Sequence, residues 1–223
     1  YSNTIIVNGS VSGTSYNGIS ATNYGGGYVS VTVASGGSAS GGQSGINSLV
    51  STYSVATITV SGTVTGGSNA GINSNSIYSG GTTNIILNNG ANVSATSGVA
   101  ISNGNSYANT ANVTVNSGAI VNGDINLGDG TDTAFFNAGA TINGSVNMGD
   151  GTDSVTFNGV DLSNVGTVDG GSGNDTLTIA NANVGITNNS LGTSGQVVNF
   201  ENITIASGGN VAFLGGLNSN TVT

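Results

Sequence analysis

An all-β chain wound into a parallel β-helix is the fold this sequence predicts, and three observations carry the prediction. One phrase is written twice, at Val121–Asn137 and Ile142–Asn158, 21 residues apart with 10 of 17 positions identical. A short alternating pattern, apolar–x–apolar, recurs along the whole chain, its last apolar residue falling at Val7, Val33, Val60, Leu87, Val115, Phe136, Phe157, Ile179 and Ile205. The composition is rich in Gly (40 residues), Asn, Ser, Thr, Val and Ile and has no Pro, which suits pleated strands joined by tight turns and disfavours helices. A fixed period of 20 to 30 residues marks units that bury their apolar faces only by stacking on one another.

The steps along that apolar series are 26, 27, 27, 28, 21, 21, 22 and 26 residues, which predicts about nine coils. At about 4.8 Å per coil they make a rod on the order of 43 Å long. Each strand runs into a turn such as Val7-Asn8-Gly9, Val60-Ser61-Gly62 or Leu87-Asn88-Asn89-Gly90. In the first half a second beat, Gly18-Ile19, Gly45-Ile46, Gly71-Ile72 and Gly98-Val99, adds a third apolar segment per coil and implies three sides. The chain therefore reads as one continuous domain in two parts. Residues 1–120 form wide coils of about 27 residues, and 121–223 form narrower coils of about 21 to 26, in which the third segment is expected to shrink into a Gly-Asp turn. A β-sandwich with regular turns is the competing architecture, but it does not require phrases at constant spacing.

Charge divides the chain in the same place. There is no Lys, Arg or His, and all nine acidic residues fall between Asp124 and Glu201, giving a net charge of −9. Nucleic acid and anionic membranes bind through Lys and Arg, so neither is expected as a partner. No 18-residue apolar run predicts a transmembrane segment, and no basic, apolar leader opens the sequence, so a mature or excised segment is expected. Without Cys there are neither disulfides nor thiolate metal sites.

The same absences weaken any catalytic reading. With no His, Cys or Lys to act as nucleophile or base, only paired carboxylates remain, and these would have to converge on a groove. Asp129, Asp132, Asp150, Asp153 and Asp175 instead sit in Gly-rich turns at the coil period, so stacking places them in a row along one corner. Like charges about 5 Å apart repel by roughly 0.8 kcal/mol in water and about 3 kcal/mol at an effective dielectric of 20. Solvation, raised pKa values or bridging Ca²⁺ each relieve that repulsion. Gly170-Gly171-Ser172-Gly173-Asn174-Asp175-Thr176-Leu177-Thr178 fits the calcium-binding nonapeptide G-G-x-G-x-D-x-U-x, and the turns at Leu127–Asp132 and Met148–Asp153 resemble it with Asp at the second Gly position. In the repeat-in-toxin family that these turns resemble, the nonapeptides run in tandem, two per coil, with calcium between successive turns, whereas one occurs per coil here. Calcium held by the five Asp residues, or each Asp capping its own backbone in an Asx-type turn, both account for the pattern.

Four tyrosines, Tyr28, Tyr53, Tyr78 and Tyr107, follow the first-half beat; stacked or interior aromatics are the expectation, with a carbohydrate platform as the alternative. Asn-x-Ser/Thr triplets such as Asn8-Gly9-Ser10 carry no assignment in so Asn-rich a chain.

The phrase Asn199-Phe200-Glu201-Asn202-Ile203, set in 195–215, resembles one common in bacterial autotransporter passenger domains and repeat-rich S-layer-like surface proteins. The Gly-Asp-Gly-Thr-Asp turns and Asn116-Ser117-Gly118-Ala119 extend the resemblance over nearly the whole chain, although no membrane-barrel pattern closes it. The resemblance implies a right-handed parallel β-helix (β-solenoid) outside a Gram-negative cell. The expected function is accordingly a non-enzymatic, extracellular structural or adhesive module, with host or surface glycans and proteins as partners. The alternative is a self-assembling subunit of a filament or surface layer, joined through strand edges that neither terminus caps with charge. A Thr-rich ice- or glycan-binding face would need a regular Thr-x-Thr row on every coil, and the sequence does not show one.

Overall fold

The structure is a computed structural model and describes residues 2–104, 108–181, 183–187, 190–191, 197–213 and 221–223. Among these residues there is no helix, and so none long and apolar enough to cross a membrane. The described chain is a parallel β-solenoid of about seven turns. One flat sheet holds ten strands, from Ser2–Val7 and Tyr28–Val33 through to Asn202–Ile205 and Thr221–Val222.

Strict alternation builds that sheet. In Val55–Val60 the residues Ala56, Ile58 and Val60 are buried while Val55, Thr57 and Thr59 face outward, as a period of two requires. The apolar series read from the sequence is one register ladder: Val7, Val33, Val60, Leu87, Val115, Phe136, Phe157, Ile179 and Ile205 are successive Cα partners. Two more ladders close the core. Ala39, Val64, Val93, Val121 and Ile142 stack on the second side. Ile19, Ile46, Ile72, Ile101, Ile125, Val146 and Val168 stack on the third. These two sides belong to one eleven-stranded sheet, because the strand Asn92–Ser102 runs through both.

Two expectations are corrected by this register. The partner of Ile72 is Ile101, not Val99, because Val99 pairs with Ala70 across an irregular stretch of Asn92–Ser102. The third side also survives in the narrow coils, where Ile125 and Val146 continue its ladder. The corners shorten instead. Ser94 and Ile101 lie seven positions apart, whereas their partners Asn122 and Ile125 lie three apart. Ser102 and Asn112 lie ten apart, whereas their partners Asn126 and Thr133 lie seven apart. Gly123 makes the first shortening feasible: its φ is +129°, and a Cβ there would run into the carbonyl oxygen of Gly98.

Toward the other end, Asn183–Thr187 pairs with Asn210–Phe213 in parallel and with Ser190–Leu191 antiparallel, in a separate three-stranded sheet. At the first coil Ser2–Val7 pairs, among the described residues, with Tyr28–Val33 alone, and Ile6 and Val11 are exposed.

Candidate functional site

The acidic row grows out of the pleat. Every strand of the flat sheet has an inward position at its start, filled in the wide coils by Val29, Ala56, Thr83 and Ala111. In the narrow coils the equivalent residues are those preceding Thr133, Ser154, Thr176 and Asn202, namely Asp132, Asp153, Asp175 and Glu201. Counting back by two from buried Ala134, Val155 and Leu177 therefore points three carboxylates into the solenoid, where Asp132, Asp153 and Asp175 are 0, 2 and 0 % exposed.

One oxygen of each carboxylate caps the backbone of the coil before it. The Ala111 N–H donates to Asp132 Oδ1 (2.6 Å), the Asp132 N–H to Asp153 Oδ1 (2.7 Å), the Asp153 N–H to Asp175 Oδ1 (2.8 Å) and the Asp175 N–H to Glu201 Oε2 (2.8 Å). The other oxygen, Oδ2 of Asp132, Asp153 and Asp175, is buried without a hydrogen-bond partner. Burial pushes Asp132 up to about 8 and Asp153 up to about 6 from an ordinary 3.8, with neighbouring carboxylates adding to the rise and the backbone N–H opposing it. Asp175 is raised for the same reasons.

Asp129 and Asp150 do not join this row. They lie outside on the rim of the same corner, beside Asn109, Thr110, Thr131 and Thr152, in an open groove of about 550 Å³. The five Asp residues grouped by their spacing thus form two rows, one interior and one solvent-facing. Asx-type bonding belongs to other residues: Asp169 Oδ1 accepts from the Gly171 N–H (3.0 Å) and Asp161 Oδ1 from the Ser163 N–H (3.0 Å).

The interior row does not fit a calcium site. Calcium takes six to eight oxygens, yet each buried Asp has already committed Oδ1 to a backbone donor and offers one free oxygen per coil. Among the described residues no three acidic groups converge as metal ligands.

Compared with protein-family models, curated proteins and solved structures, the chain matches none.

Two features escaped the sequence reading. Half-buried Glu201 caps the end of the row, and the signal was its frame: it precedes Asn202-Ile203-Thr204-Ile205 as Asp175 precedes Thr176-Leu177-Thr178-Ile179. The second is a ladder of amides at the end of the flat sheet. Asn116 Nδ2 donates to Asn88 Oδ1 (3.2 Å), Asn137 to Asn116 (3.0 Å), Asn158 to Asn137 (3.5 Å) and Asn181 to Asn158 (2.7 Å). Each of the first four follows directly on a member of the apolar ladder, which was the available signal.

The tyrosines are not interior. Tyr28, Tyr53 and Tyr78 are 65, 85 and 59 % exposed, at the corner that leads from the third side into the flat sheet, and Tyr107 lies outside the described residues. A Cβ added at Gly80 in the next coil would stand 3.8 Å from the edge of the Tyr53 ring. Apolar character alone did not decide their orientation; corner geometry did.

Proposed function

We propose that this chain is a non-enzymatic structural and adhesive module, displayed outside a bacterial cell. The observation that carries the reading is the exposure of Tyr28, Tyr53 and Tyr78, each where the chain enters the flat sheet, on a half of the chain that bears no ionisable acid or base before Asp124 apart from tyrosine itself. Exposed Tyr offers a large, rigid contact with an apolar face and a polar tip, and a surface without charge suits a neutral polymer such as a polysaccharide. Catalysis has little support, because the strongly perturbed carboxylates are sealed in the core with their Oδ1 atoms occupied. The resemblance to passenger domains supports the extracellular setting and the right-handed sense, and the unbroken ladder from Val7 to Ile205 supports nine coils.

A second reading, self-assembly into a filament or layer, is favoured by Ile6, an apolar side chain exposed on the outer face of the strand Ser2–Val7 that a second copy can cover. One co-sedimentation experiment separates the two. With insoluble cellulose as the neutral polysaccharide, the wild-type protein should pellet only when cellulose is present. The triple variant Tyr28→Ala/Tyr53→Ala/Tyr78→Ala should lose roughly tenfold in bound fraction, the scale of one good aromatic anchor. Wild-type protein that stays in the supernatant contradicts adhesion to such polymers, and protein that pellets without cellulose supports assembly.

A further inference from the structure

We propose that Asp132, Asp153 and Asp175, closed by Glu201, form a proton-binding column inside the solenoid that locks the narrow coils in acid and loosens them as the medium turns alkaline. The inference rests on the interior geometry and is independent of the adhesive reading.

The column has no other means of neutralisation within the chain. The 223 residues contain no Lys, Arg or His, so no ion pair with a cationic side chain can form at any site. The groups whose charge acts on it are all acidic: Asp129 and Asp153 on Asp132, Asp150 and Asp175 on Asp153, and Asp169 and Glu201 on Asp175. The three Oδ2 atoms are buried and accept no hydrogen bond, so an ionised carboxylate would keep much of its charge on an oxygen cut off from water. Such a charge is far costlier than a neutral carboxyl in the same place. Protonation at Oδ2 removes it while leaving Oδ1 to accept the backbone N–H of the preceding coil. Successive members are linked through those bonds, so the column titrates as a coupled set.

The sign follows from linkage. A carboxyl held above its ordinary value binds its proton more tightly in the folded than in the unfolded chain. Its stabilisation is complete below the ordinary value of 3.8 and is lost as pH rises through about 6 for Asp153 and about 8 for Asp132, with Asp175 acting in the same direction. Asp161 is shifted the opposite way, downward, by hydrogen bonds from Ser163 at the exposed surface, and its effect falls below this window.

Equilibrium unfolding between pH 4 and pH 9, with infrared spectra of the folded protein at pH 7, tests the proposal. The unfolding constant should rise on the order of 100-fold or more from the acid to the alkaline end. The spectrum at pH 7 should contain a protonated-carboxyl stretch. Asp153→Asn keeps an acceptor for the Asp132 N–H, and it should flatten the pH profile around pH 6 while the band at pH 7, carried by Asp132, persists. Chelator and millimolar Ca²⁺ should leave the wild-type profile unchanged. Stability that rises from pH 4 to pH 8, a missing carboxyl band at pH 7, or a profile abolished by calcium would each overturn the column. If Asp153→Asn fails to fold, the wild-type infrared band and unfolding profile still decide.

Discussion

Phe136→Ala is expected to destabilise the protein by about 3–5 kcal/mol, the range for removing a large aromatic from a packed core. Phe136 is fully buried, and its ring stacks on that of Phe157 with centroids 5.0 Å apart and planes 16° from parallel. The pair stands in the continuous ladder between Val115 and Ile179, so the truncation opens a cavity flanked by coils on both sides. Parallel in-register stacking leaves little room to collapse, because every coil is pinned to its neighbours along each side. Chemical denaturation of Phe136→Ala against wild type measures the effect. A loss below about 1 kcal/mol would mean that the ring is not enclosed as described.

Gly149→Ala should be comparably damaging, at about 3 kcal/mol or more, for a reason that has nothing to do with side-chain burial. Gly149 has φ +98°, where an L side chain is strained, and its ideal Cβ would overlap the carbonyl oxygen of Gly128 in the preceding coil. The obstructing atom is backbone, so relief requires the coils to separate just where the Ser172 N–H bonds the Gly149 carbonyl (3.0 Å) and the Asp150 N–H bonds the Gly128 carbonyl (3.2 Å). Thermal melting against wild type, with Gly9→Ala as a control, provides the check. The control position meets nothing within 4 Å of an added Cβ and should melt close to wild type.

Most of the fold was legible because in-register stacking demands the same inward positions in every coil. That demand is visible as the series from Val7 to Ile205, and the structure returns it residue for residue. The corners were less legible. The shift from Ile72 to Ile101 depends on irregular pairing within Asn92–Ser102, which no spacing rule reveals. The candidate site was half legible. Spacing correctly stacked Asp132, Asp153 and Asp175, but polar residues in Gly-rich stretches read as solvent-facing turns. Their inward direction was nevertheless written in the period of two, since Asp132, Ala134 and Phe136 share one face of the pleat. Asp129 and Asp150 share the spacing of the interior row while lying outside it, and only the path of the chain around the corner separates the two.

The central claim, that successive narrow coils stack in register and so set Asp132 over Asp153, is tested most directly by disulfide trapping in a chain whose sequence contains no Cys. Thr133 and Ser154 are Cα partners on the outer face beside those two residues. Adjacent strands lie about 4.8 Å apart, inside the disulfide window, whereas Thr133 and Thr156 should lie roughly 8 Å apart, outside it. The solenoid predicts that Thr133→Cys/Ser154→Cys crosslinks readily under mild oxidation and that Thr133→Cys/Thr156→Cys does not. Efficient closure of the second pair with failure of the first would contradict the register on which the buried row depends.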